Sequence, residues 1–248
     1  MYKRQILARA AELDAPVVLL GHDYEVREFT RTGYRGICSL RVDRTLWRNM
    51  ALNCPAAFMA TNAAHAMAAF QTLCQRKCLP GLTENQVRRT LEAIRLPACC
   101  EVFPGRPTVV IDGSHNAMAA ASLATIVHTL FEGRDRVLVM GIPRDKEVVK
   151  LIAHFAKCGA RRVIFTRYPG TRATPPEELA PLWEKRSAAP TEVIEEPEQA
   201  FARAVDVAGG EGVVIVTGSI HLAGVLRPLA RTREAVPDLA RMVVGAKE

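Results

Sequence analysis

Three short stretches in the second half of the chain combine polar side chains that could bind an anion, and each contains or follows an apolar run. They read "PTVVIDGSHN" at 107–116, "GIPRDKEVV" at 141–149 and "VTGSIHLAGVLR" at 216–227. A strand-to-helix turn with a purely structural role needs only a glycine and a capping residue. The additional aspartate, histidine, lysine and serine side chains therefore predict a ligand site.

The chemistry of the first stretch suits a nucleotide. Asp112 or Ser114 would cap a helix that begins near Asn116, and the exposed amides of its first turn would attract an anion. His115 could donate to a phosphate oxygen, and Asp112 could accept from ribose hydroxyls. Helix capping together with a satisfied histidine explains this stretch equally well if it stands alone.

A regular alternation of strands and helices after Pro107 would bring the three stretches together. The predicted strands are "TVVID", "RVLVMGI", "RRVIFT", "TEVIE" and "GVVIVTG", and the predicted helices cover 116–130, 146–157, 176–185, 198–208 and 220–229. Near-continuous apolar strands between amphipathic helices predict an α/β fold, a Rossmann-like and mostly parallel sheet with helices on both faces. Ligands bind beyond the carboxyl ends of such strands, where all three stretches lie.

The polar residues at the other two strand ends could likewise have a purely structural role. Asp145 would cap the helix that follows it, and residues 217–219 would form a tight turn. Between them, "RYPGTRATPPEE" at 167–178 is typical of a long exposed loop.

The first half of the chain lacks this regular alternation of strands and helices, so we predict two domains, residues 1–106 and 107–248. The pattern predicts a helix over 6–13, a buried strand at "APVVLLG" closed by Gly21, an antiparallel meander after it, and helices over 59–73 and after Thr83. Residues 1–5 back-translate to the end of a sequencing-library adapter. We expect a non-native start there, a short basic N-terminus being the alternative.

Composition narrows the class of protein. The 248 residues carry a formal charge of +7, which suits an anionic small molecule, and we do not expect nucleic-acid binding because no basic stripe interleaved with aromatic residues occurs. No apolar run approaches the roughly 20 residues of a membrane span. Seven cysteines without zinc-site spacing predict free thiols, no metal site and a reducing cytoplasm. We expect a cytoplasmic monomer.

Taken in order, the motifs are similar to those of a known family. "PTVVIDGSHN", "GIPRDKEVV", "TRATPPEELA" and "VIVTGSIHLAGVLR" resemble the C-terminal half of folylpolyglutamate synthase and dihydrofolate synthase, members of the Mur ligase family. That family has an Asp-Gly-Ala-His-Asn-Pro turn, a Gly before Asp-Lys-Asp, an Arg-Ala loop and a Thr-Gly-Ser strand end. Upstream, "ATNAAHAMAAF" resembles a helix start in the family's central domain.

The resemblance implies an ATP-dependent ligase. Residues 1–106 would be the C-terminal part of a Mur ligase central ATPase domain, and 107–248 the C-terminal Rossmann-like domain. ATP would phosphorylate a carboxylate of folate or dihydropteroate, and glutamate would attack the acyl phosphate, with Mg²⁺ assisting. Among the family's site residues, Asn62, Asp112 and His115 would bind the nucleotide, His115 and Lys146 would be catalytic, and Ser219 would lie near glutamate.

Two departures weaken the match. Thirteen residues before the Asp-Gly turn the family has an arginine, whereas this chain has Cys99. A thiol cannot form the two parallel hydrogen bonds to a phosphate group that a guanidinium forms. No Gly-x-x-x-x-Gly-Lys-Ser/Thr motif occurs, so the triphosphate cradle is absent from the sequence. We expect the Mg²⁺ ligands and the folate contacts in a missing N-terminal part, and no ligation by this chain alone.

Other functions stay open or are disfavoured. A truncated nucleotide-binding or regulatory module without catalysis is the first alternative, because Cys99 stands where the arginine is expected. A Mur-type ligase for another amino-acid substrate is the second, because a fold does not set the substrate. A nicotinamide-dependent oxidoreductase is disfavoured, since "DGSHNA" lacks two of the three fingerprint glycines.

Overall fold

The structure, a computed structural model, describes residues 2–233 and divides into two units between Arg95 and Leu96. This division comes earlier than the predicted boundary near Arg106. The reason is a short strand, Glu101–Phe103, which pairs with Thr108–Ile111 and so belongs to the second unit. Within the described part of the chain, none of the helices combines the length and apolar character that crossing a membrane would need.

The first unit contains a three-stranded antiparallel sheet and three helices. Its elements are α1 (Tyr2–Glu12), β1 (Tyr24–Thr32), β2 (Arg35–Val42), β3 (Thr45–Leu52), α2 (Ala57–Gln75) and α3 (Glu84–Ala93). The sheet has the order β1-β2-β3, with hairpin turns in which Gly33 and Asp43 adopt left-handed backbone angles. The predicted meander and the helices on either side of it are therefore confirmed.

Small residues let α2 approach this sheet. Ala60 and Ala64 of α2 are fully buried, as are Leu40 and Met50 on β2 and β3. Further along, Thr83 begins α3 with a capping box, because its hydroxyl accepts from the Gln86 amide while the Gln86 side chain accepts from the Thr83 amide.

The predicted buried strand at 15–21 is wrong. Val17, Val18 and Leu20 are 40–44% exposed, and the segment forms only an isolated bridge between Leu20 and Tyr24. A strand of this kind is buried only when it has sheet neighbours, and the described residues supply none for it.

The second unit is built on a six-stranded, mostly parallel sheet. Its strands are β4 (Glu101–Phe103), β5 (Thr108–Ile111), β6 (Arg136–Met140), β7 (Arg162–Phe165), β8 (Thr191–Val193) and β9 (Val213–Thr217). Their order is β4-β5-β9-β6-β7-β8, in which only the β4–β5 pair is antiparallel. All five predicted strands are present, and β4 is the one that sequence patterning missed.

Up to residue 233, where the described part of this unit ends, five helices cover the sheet, and all of them were predicted. They are α4 (Ala117–Leu130), α5 (Val148–Phe155, followed by one turn of 3-10 helix), α6 (Pro176–Glu184), α7 (Pro197–Ala208) and α8 (Ile220–Thr232).

Alternating strand residues show that both faces are covered. Val137 and Val139 pack in one cluster with residues of α7 and α8. Leu138 and Met140 point to the opposite face and are equally buried, which leaves that face to α4 and α5. The second unit therefore has the predicted α/β fold with helices on both faces of a mostly parallel sheet.

Candidate functional site

The strand order β5-β9-β6 places three polar strand ends side by side. Residues 112–116 follow β5, residues 218–219 follow β9, and residues 141–147 follow β6. Because these strands are parallel, all three segments emerge at the same edge of the sheet, beside the starts of α4, α8 and α5. This edge is the candidate site in the second unit.

Asp112 organises the turn after β5. Its Oδ1 accepts from the Ser114 amide and its Oδ2 from the Cys100 amide, both at 2.8 Å, while the residue is only 5% exposed. Burial raises the pKa of Asp112, and the hydrogen bonds from Ser114 and Cys100 together with the nearby His115 oppose that rise. The carboxylate is thus engaged mainly with the backbone around it.

The cap of α4 differs from the prediction. Asn116 occupies the N-cap position and its Oδ1 accepts from the Ala119 amide at 2.9 Å, so the prediction of Asp112 or Ser114 as the cap is wrong. Asp112 instead bonds within the turn, because its side chain lies too early in the chain to reach the second or third amide of the helix.

One of the two ring nitrogens of His115, Nδ1, forms a hydrogen bond within the turn. Its Nδ1 lies 2.8 Å from the carbonyl oxygen of Gly113, which requires the hydrogen to be on Nδ1. The residue is partly buried and directly precedes Asn116, the N-cap of α4. The neutral ring could accept through Nε2, and the protonated ring could donate to a phosphate oxygen.

A loop at 97–101 supports the turn from the side. The Gly113 amide donates to the Ala98 carbonyl at 2.8 Å, and the Cys100 amide donates to Asp112. Ala98 and Cys100 have φ values of +55° and +49°, in the left-handed region that favours glycine. Cys99, which stands where the family's arginine is expected, lies between these two anchor points.

The end of β6 gathers charged side chains. Arg172 Nη2 lies 3.3 Å from Asp145 Oδ2, and Lys146 Nζ lies 3.9 Å from the same oxygen. Glu147, not Asp145, holds the N-cap position of α5, so the predicted Asp145 cap is wrong. Asp145 pairs with these two cations instead.

The loop at 167–178 is only partly exposed, contrary to the prediction. Its central part runs alongside the end of β6, since the Thr174 amide donates to the Ile142 carbonyl at 2.9 Å and the Arg144 amide to the Arg172 carbonyl at 2.8 Å. Tyr168 and Thr174 are consequently buried at the same edge of the sheet.

Ser219 begins α8 and is 1% exposed. Its hydroxyl accepts from the His221 amide at 3.1 Å, and the His221 ring stacks on Tyr168 with centroids 5.6 Å apart. Burial raises the pKa of Tyr168, and the Ser219 hydroxyl opposes that rise. The neighbouring Thr217 hydroxyl is buried and has no hydrogen-bond partner among residues 2–233, which fits an edge built to receive a polar group.

Asn62, the remaining predicted nucleotide contact, belongs to the first unit, where it is exposed near the start of α2. One turn later the His65 ring packs edge-on against Tyr24, with centroids 5.5 Å apart. Among residues 2–233 no group of three His, Cys, Asp or Glu side chains could hold a metal ion.

Comparison with known proteins identifies the second unit. Residues 99–220 match the family described as "Mur ligase, glutamate ligase domain". This segment is a Mur ligase C-terminal domain. The match spans the turn after β5, the cluster after β6 and the start of α8, so the candidate site lies within this Mur ligase domain.

Two curated relatives carry related names. The chain is 28% identical over 191 residues to a probable bifunctional folylpolyglutamate synthase/dihydropteroate synthase of Haloferax volcanii, covering 77% of this chain and 22% of that protein. It is 30% identical over 147 residues to folylpolyglutamate synthase of Lacticaseibacillus casei, covering 59% of this chain and 32% of that one.

A solved structure supports the same fold. Folylpolyglutamate synthase of Mycobacterium tuberculosis, solved with ADP, superposes with a TM-score of 0.81 at 24% identity, over 91% of this chain and 51% of that one. The chain therefore spans about half the length of this structural relative, and a third or less of the two curated ones.

Proposed function

We propose that the chain is part of a folylpolyglutamate or dihydrofolate synthase-type ligase and forms one wall of its active site. In the proposed reaction ATP phosphorylates a carboxylate of folate or dihydropteroate, which gives an acyl phosphate and ADP. The amine of glutamate then attacks the acyl carbon and releases phosphate, leaving an amide.

The turn after β5 would hold the nucleotide. His115 Nε2 would contact a phosphate oxygen, and the amides of the first turn of α4 would add their partial positive charge. Asp112 would keep the turn in shape and offer its remaining lone pairs to a ribose hydroxyl. Asn62 would bind the adenine.

The end of β6 and the start of α8 would bind the acyl phosphate and the glutamate. Lys146, one-third exposed and paired only at 3.9 Å with Asp145, would neutralise charge on the acyl phosphate. Ser219 would lie near the glutamate. Magnesium would supply further charge neutralisation when bound with ATP, through ligands outside this chain.

The observation that carries this proposal is the convergence of three polar strand ends on one edge of the sheet. The positive ends of α4 and α8 lie at that edge together with His115 and Lys146, which suits ligands rich in phosphate and carboxylate. Both curated relatives carry the name folylpolyglutamate synthase, which agrees with folate and glutamate as substrates.

Calorimetric titration of the full chain with ADP tests the nucleotide part. We expect binding that His115→Ala and Asn62→Ala each weaken by about tenfold, the usual size of one lost polar contact to a charged group. His128→Ala, on an exposed face of α4, is the matched control and should bind as the parent does. Equal affinity in all four proteins would contradict the assignment.

Ligation is tested separately. Incubated with ATP, magnesium, folate or dihydropteroate, and labelled glutamate, the chain by itself should form no amide, because the sequence has no triphosphate cradle. Measurable turnover would overturn the requirement for a further part.

One observation favours a second function, a nucleotide-binding module without catalysis. Cys99 stands where the ligase pattern has a phosphate-binding arginine. If the site still follows the ligase pattern, Cys99→Arg should tighten ADP binding by about tenfold, and Cys99→Ser should not. No gain with arginine would favour the module, whose nucleotide contacts would then be arranged differently.

A further inference from the structure

We propose that Arg227 and Glu101 are a positioning pair that holds the Asp112–His115 turn in its ligand-binding shape. Neither side chain is among the predicted contacts to ligand, so the pair would act through the 97–101 loop. The proposal rests on the proposed function for the identity of the ligand, although the mechanical link can be tested without one.

The ion pair joins its two side chains by two hydrogen bonds. Arg227 Nε lies 2.7 Å from Glu101 Oε2 and Arg227 Nη2 lies 2.8 Å from Oε1, a two-pronged geometry. The side chain of Glu101 is 8% exposed and that of Arg227 is 25% exposed. Hydrogen bonding to Glu101 raises the pKa of Arg227. A pair this buried and this well aligned is costly to break, since either charge alone would be left without its partner.

The pair is connected to the turn through short steps of backbone. Glu101 Oε2 also accepts from the Ala98 amide at 3.2 Å, and the Ala98 carbonyl accepts from Gly113. Cys100, the neighbour of Glu101, donates its amide to Asp112. One of these hydrogen bonds between the loop and the turn therefore involves Ala98, whose amide Glu101 binds, and the other involves Cys100, which precedes Glu101 in the chain.

The loop needs such a support because its backbone is strained. Ala98 and Cys100 both adopt left-handed angles, which residues with a Cβ hold only when surrounding contacts compensate. Arg227 supplies that compensation from α8, and the first residue of the same helix, Ile220, packs against Gly113. One helix thus contacts the turn directly at its start and indirectly through Arg227.

A second ion pair in the same unit offers a matched control. Arg203 of α7 contacts Glu192 of β8 with the same two-pronged geometry, at 2.9 and 3.1 Å. Within the described residues, neither of these hydrogen bonds reaches the 97–101 loop or the turn after β5. Removing Arg203 takes one arginine from Glu192, which keeps its pair with Arg162, and removing Arg227 takes one from Glu101. Only the loss of Arg227 should alter the hydrogen bonds at Asp112.

Amide hydrogen exchange of the full chain measures the link directly. In Arg227→Ala we expect the amides of Cys100 and Gly113 to exchange at least about tenfold faster than in the parent, through local opening of the loop. In Arg203→Ala the same amides should keep their rates under conditions where both variants stay folded. If Arg227→Ala does not fold, Arg227→Lys can replace it, because lysine keeps the charge but cannot form both hydrogen bonds to Glu101. In that variant the Cys100 and Gly113 amides should exchange faster than in the parent, but by a smaller factor.

Equal exchange rates at Cys100 and Gly113 in the Arg227 and Arg203 variants would overturn the positioning role. ADP titration then separates this role from the proposed function. If the parent binds ADP, Arg227→Ala should weaken it by about fivefold or more while Arg203→Ala does not; unchanged affinity would limit Arg227 to stability. If the parent binds no ADP, the proposed function fails, and the exchange rates alone decide the mechanical link.

Discussion

The amide of Gly113 donates to the carbonyl of Ala98 at 2.8 Å, so the turn that carries Asp112 and His115 rests on an alanine with a φ of +55°. The chain therefore keeps a backbone shape suited to glycine despite the steric strain that a methyl group adds.

Replacing that methyl group should stabilise the second unit. We expect Ala98→Gly to raise the free energy of unfolding by about 0.5–1 kcal/mol, because the relief of left-handed strain exceeds the added chain entropy of glycine. Denaturant titration measures the change. Ala202→Gly, at an exposed position inside α7, is the control and should lower stability by about 1 kcal/mol. Destabilisation by both changes would show that Ala98 is not strained.

Gly113 is required by a close approach to α8. A Cβ at this position would lie 2.8 Å from Ile220 Cγ1 and 3.3 Å from Ile220 Cα. Gly113→Ala should therefore cost about 1–3 kcal/mol of stability through overpacking, and should shift amide resonances at the starts of α4 and α8.

Gly224→Ala provides the comparison for Gly113. Gly224 lies inside α8, and the space that a Cβ would occupy there is open, so alanine should add up to about 1 kcal/mol of stability. A harmless Gly113→Ala would show that Ile220 can move away from the turn at little cost.

Stability should depend on pH through Asp112. Burial raises its pKa in the folded chain, so the folded state holds this proton more tightly than the unfolded state does. The resulting stabilisation is complete below the unfolded value, about 3.9, and is lost as the pH rises through the folded value. Unfolding free energies of the parent relative to Asp112→Asn should thus decline with rising pH across that window. A difference that grows with pH would mean that the amide hydrogen bonds outweigh burial.

Cys158 should resist thiol reagents until the second unit unfolds. It is fully buried, and burial raises the pKa of its thiol to about 12. At mildly alkaline pH, labelling followed by peptide mass spectrometry should find the exposed Cys78 modified at once and Cys158 only in denaturant. Early labelling of Cys158 in the native chain would reveal local opening after α5.

Much of the second unit could be predicted from sequence because its signals are local. The apolar runs at β5, β6, β7 and β9 are each followed by amphipathic helices, and such runs leave few alternatives to a covered parallel sheet. The three polar strand ends follow from the same alternation, since parallel strands share one carboxyl edge.

The errors fall where distant residues decide the outcome. The segment at 15–21 has the composition of a buried strand but no neighbour in the described sheet, and β4 is only three residues long and is defined by its pairing with β5. Arg227 and Glu101 are separated by 126 positions, so no local pattern could pair them. At the cap of α4, three candidate side chains lie within five residues, and only geometry selects Asn116.

The sheet of the second unit ends on both sides in three-residue strands, β4 and β8. Each leaves too few unpaired backbone groups to template a neighbouring chain, and on β8 the carboxylate of Glu192 is held between Arg162 and Arg203. A parallel sheet whose central strands are almost wholly apolar would otherwise be prone to edge-to-edge aggregation. Short edge strands and charged side chains at a border are features that disfavour such edge-to-edge pairing.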